Sequence, residues 1–506
     1  MPVPATTGMA ANDLLNGLHT EVGGLQSSAC EGFQQAPEPS ARIRTPIDHD
    51  EEHLINLFYS HFHPTHPILI PRSRYNAQGY PPYLRLLVQL IGSQYAPLVS
   101  SDALRNATDA ALSTVSERSV SLVQSLLLYA IALHAWAERA KAVGALAKAS
   151  SLGIELGMNR AEFASAHGTP DALVEESLRR TWWELYVIDG YFAALYRQTG
   201  FQCNTVELTA YLPCDEGIYL GGAQSPQHMT IGQFDNRLFL DDAPHFASAC
   251  YRIEAIRILA RVIATTSAGD GLPDDVQAVD NAIAAWKFHL PDEKAGIVDH
   301  FGEVDQMIFQ AYAFIYCASI LLHFPRSELL LTLPTAADIA CAARMTQASP
   351  TSAQHAIKAI AASKGMSDLA ALPVDKHSPL FVCDLVFSCI VQLSACSAHS
   401  RSCLIQLSAC SAHSRNCLSQ HRDRVALMTG VLKDMGRSWA ISQEVLPHLN
   451  RVANGIFNSH QDMGSMTSQI SDDSGVGFDM MSNDMPWFDV FFAGVMNDQD
   501  AMDGET

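Results

Sequence analysis

LRRTWWELYVIDGYFAALYRQTGF, residues 178–201, is the stretch on which the fold reading turns. At helical spacing Trp182, Leu185, Ile188 and Asp189 fall on adjacent faces, the pattern of an aromatic stripe buried in a core. Arg179 and Arg180 follow Glu175 and Glu176 at i,i+4, a spacing that brings opposite charges together on one helix surface. A helix over 175–195 accounts for all of these residues as structural parts, with no ligand required.

Working outward, the 3.6-residue period recurs at His53, Leu54, Leu57 and Phe58, behind Asp50 and Glu51, which suit a helix N-terminus. Further helices are predicted over 119–133, 137–156, 246–265, 275–288, 307–323, 336–348, 352–362, 379–395, 422–435 and 438–457. Strand-like alternation is scarce, and Thr205–Leu212 is its best short candidate. The fold class predicted is all-α: a large helical domain with a disordered N-terminal segment and an acidic C-terminal tail. Its divisions are a disordered 1–47, a first helical half 48–243, a second half 244–455, and a tail 456–506.

Composition narrows the function. Of 506 residues, 48% are hydrophobic and the net charge is −21, which suits a large buried core and opposes a broad electrostatic grip on nucleic acid. Residues 1–17, MPVPATTGMAANDLLNG, lack a basic start followed by an apolar core. The most apolar runs, Ser121–Leu133 and Ala311–Phe324, are shorter than the ~18–20 residues of a bilayer span. A soluble, intracellular protein without membrane partners is expected, its twelve cysteines more often thiols than disulfides.

The 178–201 segment resembles the hallmark helix of the fungal transcription-factor regulatory domain, the middle homology region of zinc-cluster transcription factors. The residues that carry the resemblance are Arg179, Arg180, Trp182, Trp183, Asp189 and Tyr191. HLINLFYSHFHPTHPIL (53–69) resembles that family's opening helix and turn, and ERAKAVGALAKASSLGIELGMNR (138–160) its later helix and corner. AAWKFHLP (284–291) and YCASILLHFP (316–325) look like its C-terminal half. The resemblance spans roughly 50–455 and implies a nuclear transcriptional regulator, with genes of a metabolic or secondary-metabolite pathway as its targets. One departure stands out: Cys30 is the only cysteine before Cys203, whereas the family's zinc cluster needs six thiolates for two zinc ions. Direct DNA binding is therefore not expected. Recruitment is expected through a zinc-cluster transcription factor or another DNA-binding partner. The alternative is an effector-sensing or interaction module that sequesters a full-length zinc-cluster regulator, with a small-molecule effector.

Two segments invite other chemistry. QLSACSAHSRSCL (392–404) is followed by QLSACSAHSRNCL (406–418), a tandem duplication that places Cys396, His399, Cys403, Cys410, His413 and Cys417 in register. On one continuous helix these six form a stripe, where four ligands do not converge tetrahedrally on one zinc ion. Packing of a repeated helix segment is the reading adopted, with metal binding and redox sensing as the rivals. In HFHPTH, His61, His63 and His66 bracket a proline turn and are read as structural. After Arg451 there is no Lys or Arg, while ten acidic residues are interleaved with Phe478, Trp487, Phe488, Phe491 and Phe492. That is the composition of an activation segment that meets co-activators. No zinc-protease, phosphate-loop or nucleophile-elbow motif occurs. The chain is read as no enzyme, with no catalytic, cofactor-binding or metal residue assigned and no cofactor.

Overall fold

The computed structural model describes residues 46–222, 227–240, 244–267, 272–299, 301–332, 351–373, 376–405 and 412–465, of which 46–50, 331–332, 399–405, 412–417 and 458–465 are described as backbone only. The chain divides into two compact units, Met1–Pro46 and Ile47–Thr506, and the description below concerns the second. The N-terminal segment, the helix expected over 336–348 and the tail beyond Ser465 lie outside the described residues.

The fold is all-α. In chain order the first helices are α1 (Pro46–Leu57), α2 (Arg72–Gln78), α3 (Pro82–Ser93), α4 (Asp102–Thr114), α5 (Val120–Ala135), α6 (Arg139–Leu156), α7 (Ala161–Gly168) and α8 (Ala172–Leu195). Short α9 (Glu216–Leu220) and α10 (Ile231–Asp235) lead to α11 (Ser248–Ser267) and α12 (Pro273–Phe288). Then come α13 (Asp292–Ala295), α14 (Gln306–His323), α15 (Ser352–Leu369), α16 (Phe381–Ile405), α17 (Ala412–Met435) and α18 (Ala440–Ser465). Among the described residues the single β feature is an isolated bridge between Val298 and Val304.

Thr205–Leu212, the strand candidate, is not a strand. Its Thr209 and Ala210 amides both donate to the Asn159 carbonyl (3.1 and 2.8 Å), and the Leu212 amide donates to Met229 O (2.7 Å). Those bonds go to two different loops, so no ladder forms; alternation alone cannot supply a pairing partner. Helices α2, α3, α4 and α7 were missed from periodicity. In α3 the PYLRLLVQLIGS run keeps a narrow polar stripe, Arg85, Gln89 and Ser93 at i, i+4 and i+8, of which Gln89 and Ser93 are buried. Pro82 sits at the first helical positions, where its missing N–H costs nothing.

The core is built by pairs: α5 on α6, α11 on α14 and α8, and α14 on α15 and α16. A satellite cluster of Leu393, Cys396, Val425, Ala453 and Ile456 joins α16, α17 and α18. Two helical stretches, Gln306–Arg326 and Phe381–Ala398, reach the length and apolarity of a membrane span, which corrects the expectation that every apolar run falls short of it. Their apolar windows are 83% and 94% buried within the fold, as expected of core helices whose apolar surface is covered by neighbours.

Candidate functional site

Helix α8 is the element around which the candidate site is built. Asp171 caps it, accepting from the Leu173 amide (3.0 Å). From Glu176 to Leu195 every residue is buried. The two spacings seen in the sequence become two ion pairs, Glu175–Arg179 and Glu176–Arg180, each at 2.9 Å. Trp182 is fully buried, and Trp183 donates its indole N–H to Tyr211 O at 2.8 Å. Asp189 accepts from the Cys203 amide (2.9 Å), and Tyr191 donates to Asp384 on α16 (2.8 Å). These six residues, on which the family resemblance rested, all serve the interior of the fold. Gly190 lets α11 approach: a Cβ there would stand 2.6 Å from Ile256 Cγ2.

What sequence spacing did not reveal is a second network across the core. Glu184 receives both guanidinium nitrogens of Arg252 from α11, at 2.6 and 2.8 Å. His66 Nδ1 donates to the same carboxylate at 2.7 Å, and its Nε2 meets Ser378 Oγ at 2.9 Å. Burial alone opposes the charge of Glu184, but the field and hydrogen bonds of Arg252, with His66, hold its carboxyl down at about 2. In the same turn His63 Nε2 donates to Leu69 O (2.8 Å), and burial lowers its ring to about 4. HFHPTH is thus a structural turn whose two inner histidines spend ring nitrogens on protein partners. Elsewhere burial raises Asp384 to about 7, against the hydrogen bonds from Tyr191 and Cys317.

Arg180, itself buried, forms part of a cleft wall. It divides its guanidinium among Glu176, Glu216 (3.3 Å) and Cys214 O (2.7 Å), and lies over the Tyr219 ring at 4.4 Å. Beyond it opens a cleft of about 630 Å³. Its walls come from the 63–73 loop, α8, α9, the start of α11 and residues 294–307.

Residues 55–287 match the fungal specific transcription factor domain. The chain resembles that family over just under half of its length. It is also 29% identical over 418 residues to the "C6 finger domain transcription factor iacK" of Pestalotiopsis fici (strain W106-1 / CGMCC3.15140), an alignment covering 81% of this chain and 60% of that protein. The chain thus spans about 60% of the length of the curated relative it matches. No solved structure matches it. The RRTWW resemblance is therefore confirmed at the level of the family domain, and α8 lies inside the matched region.

Outside that region lies the doubled Cys/His segment. The first copy runs down the end of α16, and the second continues into α17. These are two helices packed on one another, so the single-stripe geometry expected of one continuous helix is corrected. Cys396 is fully buried in the satellite cluster, as a small apolar residue packs. The side chains of His399, Cys403, Cys410, His413 and Cys417 lie outside the described residues. Among the described residues no group of three metal-ligating side chains converges.

Proposed function

We propose that the chain is a nuclear transcriptional regulator that activates genes of a metabolic or secondary-metabolite pathway. The observation that carries this reading is the family domain over 55–287, which contains the ion-locked helix α8. Contact with DNA is assigned to a zinc-cluster or other DNA-binding partner, in keeping with the relative's own name as a C6 finger protein. The acidic-aromatic residues 456–506 are assigned to co-activator contact, the acids keeping the aromatic groups solvated. No catalytic role is proposed.

Fusion of residues 456–506 to a heterologous DNA-binding domain is expected to switch on a reporter; a silent reporter would remove the activating tail from the proposal. Promoter occupancy should vanish when the partner is deleted. A full-length transcript encoding its own six-cysteine cluster would replace the partner by a domain of the same protein. The second reading, an effector-sensing module that sequesters a full-length regulator, is favoured by the cleft beside Arg180. Overexpression separates the two, since an activator raises target transcripts and a sequestering module lowers them.

A further inference from the structure

Where the ends of α5 and α8 meet α16 and α18, three side chains with proton chemistry are strung together. His134, in the last turn of α5, is 2% exposed. Its Nε2 stands 3.6 Å from Cys383 Sγ on α16, and its Nδ1 lies 2.7 Å from the hydroxyl of Tyr196, just past the end of α8. With Nδ1–H donated to the Tyr196 oxygen, Nε2 keeps its lone pair for the Cys383 S–H. A thiol, a base and a group that orients the base thus stand in line, the order that activates a nucleophile.

The thiol is also reachable. Cys383 is half-buried, and with His134 and Tyr196 it lines a cavity of about 120 Å³. The body of that cavity is apolar, from Leu195, Val386, Ile441 and Val445, while Arg139 and Glu444 supply its charged lining. The Arg139 guanidinium lies over the Tyr196 ring at 4.6 Å. Burial lowers the His134 ring to about 4, so it is neutral at neutral pH and able to accept a proton. Burial, with Asp384 beside it, pushes the Cys383 thiol up, so it rests protonated. Such a thiol is quiet toward reagents met in bulk water and reacts when a base takes its proton during the attack. A ligand seated in the cavity would be held in position for that step.

We propose that this cavity takes a small apolar α,β-unsaturated carbonyl compound, which Cys383 captures covalently with His134 as its base. Cys383 Sγ bonds to the β-carbon while its proton passes to His134 Nε2. The C=C electron pair shifts toward the carbonyl oxygen, where the Arg139 guanidinium meets the developing charge, and the proton then moves from His134 to the α-carbon. The product is a saturated carbonyl compound joined through a thioether; nothing leaves, and nothing is oxidised or reduced. An engineered apolar cavity of about 150 Å³ holds benzene, so a single small ring or a short chain suits this one. The adduct would be wedged between α5 and α8 of the matched region and α16 and α18 beyond it. It goes beyond the regulatory reading and is read by mass without any promoter, so failure of either leaves the other standing.

The test is incubation of the full chain with 2-cyclohexenone, followed over time by intact mass and peptide mapping. An adduct is expected at Cys383, forming at a rate that saturates with enone concentration, and Cys383→Ser should remove it. His134→Gln should slow the addition by about a hundredfold. Ile441→Trp, at a half-buried position in the cavity wall away from the Cys383–His134 pair, should fill the cavity and slow the addition by about tenfold or more, with the melting temperature unchanged. Cyclohexanone, which fits the same space without an alkene to attack, should protect Cys383. An unmodified Cys383 in the native chain, an undiminished rate in His134→Gln or Ile441→Trp, or no protection by cyclohexanone would overturn the proposal.

Discussion

Two buried regions of this molecule are held together in opposite ways. Around α8, Glu176, Arg179, Arg180, Glu184 and Asp189 are each less than a tenth exposed, yet ionic or polar partners meet them all. In the satellite cluster of α16, α17 and α18, the buried set is Leu393, Cys396, Val425, Ala453 and Ile456, with no charge among them. A buried charge without its partner is heavily penalised, so the first region admits one arrangement. A small apolar cluster asks only for volume and patterning. The copied 14-residue segment begins in the second region, where packing is the less exacting.

The contrast breaks first at Arg252. Arg252→Ala would leave Glu184 facing His66 alone, and a loss of about 3–5 kcal/mol is expected in urea denaturation. A loss under about 1 kcal/mol would show that the network is not exacting. Next, Gly190→Ala drives a Cβ to 2.6 Å from Ile256, and overpacking of about 1–3 kcal/mol should follow. In the satellite cluster Cys396→Ala should cost only about 1 kcal/mol, with added zinc leaving the melting temperature unmoved; a zinc-dependent rise would give the doubled segment a metal role.

A further effect is one of pH. Glu184, held at about 2 against 4.5, contributes stability that is present above pH 4.5 and lost as pH falls toward 2. His63, His134 and His323, each lowered by burial to about 4 from 6.5, lose theirs as pH falls from 6.5 toward 4. Asp384 runs the other way: raised by burial to about 7 from 3.8, it favours the folded state less and less as pH climbs through that interval. Between pH 4 and 6.5 the three histidines outweigh the single carboxyl, so Asp384→Asn should steepen the rise of the denaturation midpoint with pH there, and leave the acid limb in place.

Much of the helical skeleton was legible because apolar residues at a 3.6-residue period announce themselves. Helix α3 shows the same period, with Arg85, Gln89 and Ser93 as its polar stripe, yet was not predicted. That α16 and α17 pack on one another was not legible in the duplication, whose helical period is the same in both copies. In the candidate site, Arg180 was visible through Glu176, while Glu216, Lys294 and Gln306 were not, since nothing in their local spacing ties them to α8.

By itself the sequence determined the helix 175–195 and its two i,i+4 ion pairs, because neighbours on a helix meet at fixed offsets whatever surrounds them. It also carried the family resemblance in RRTWW. Tertiary structure alone decided that Glu184 meets Arg252 and His66, residues 68 and 118 positions away, and that Arg180 shares a cleft wall with Glu216. Those meetings depend on which helix faces close on one another, and that is settled by packing the whole core rather than by any local period.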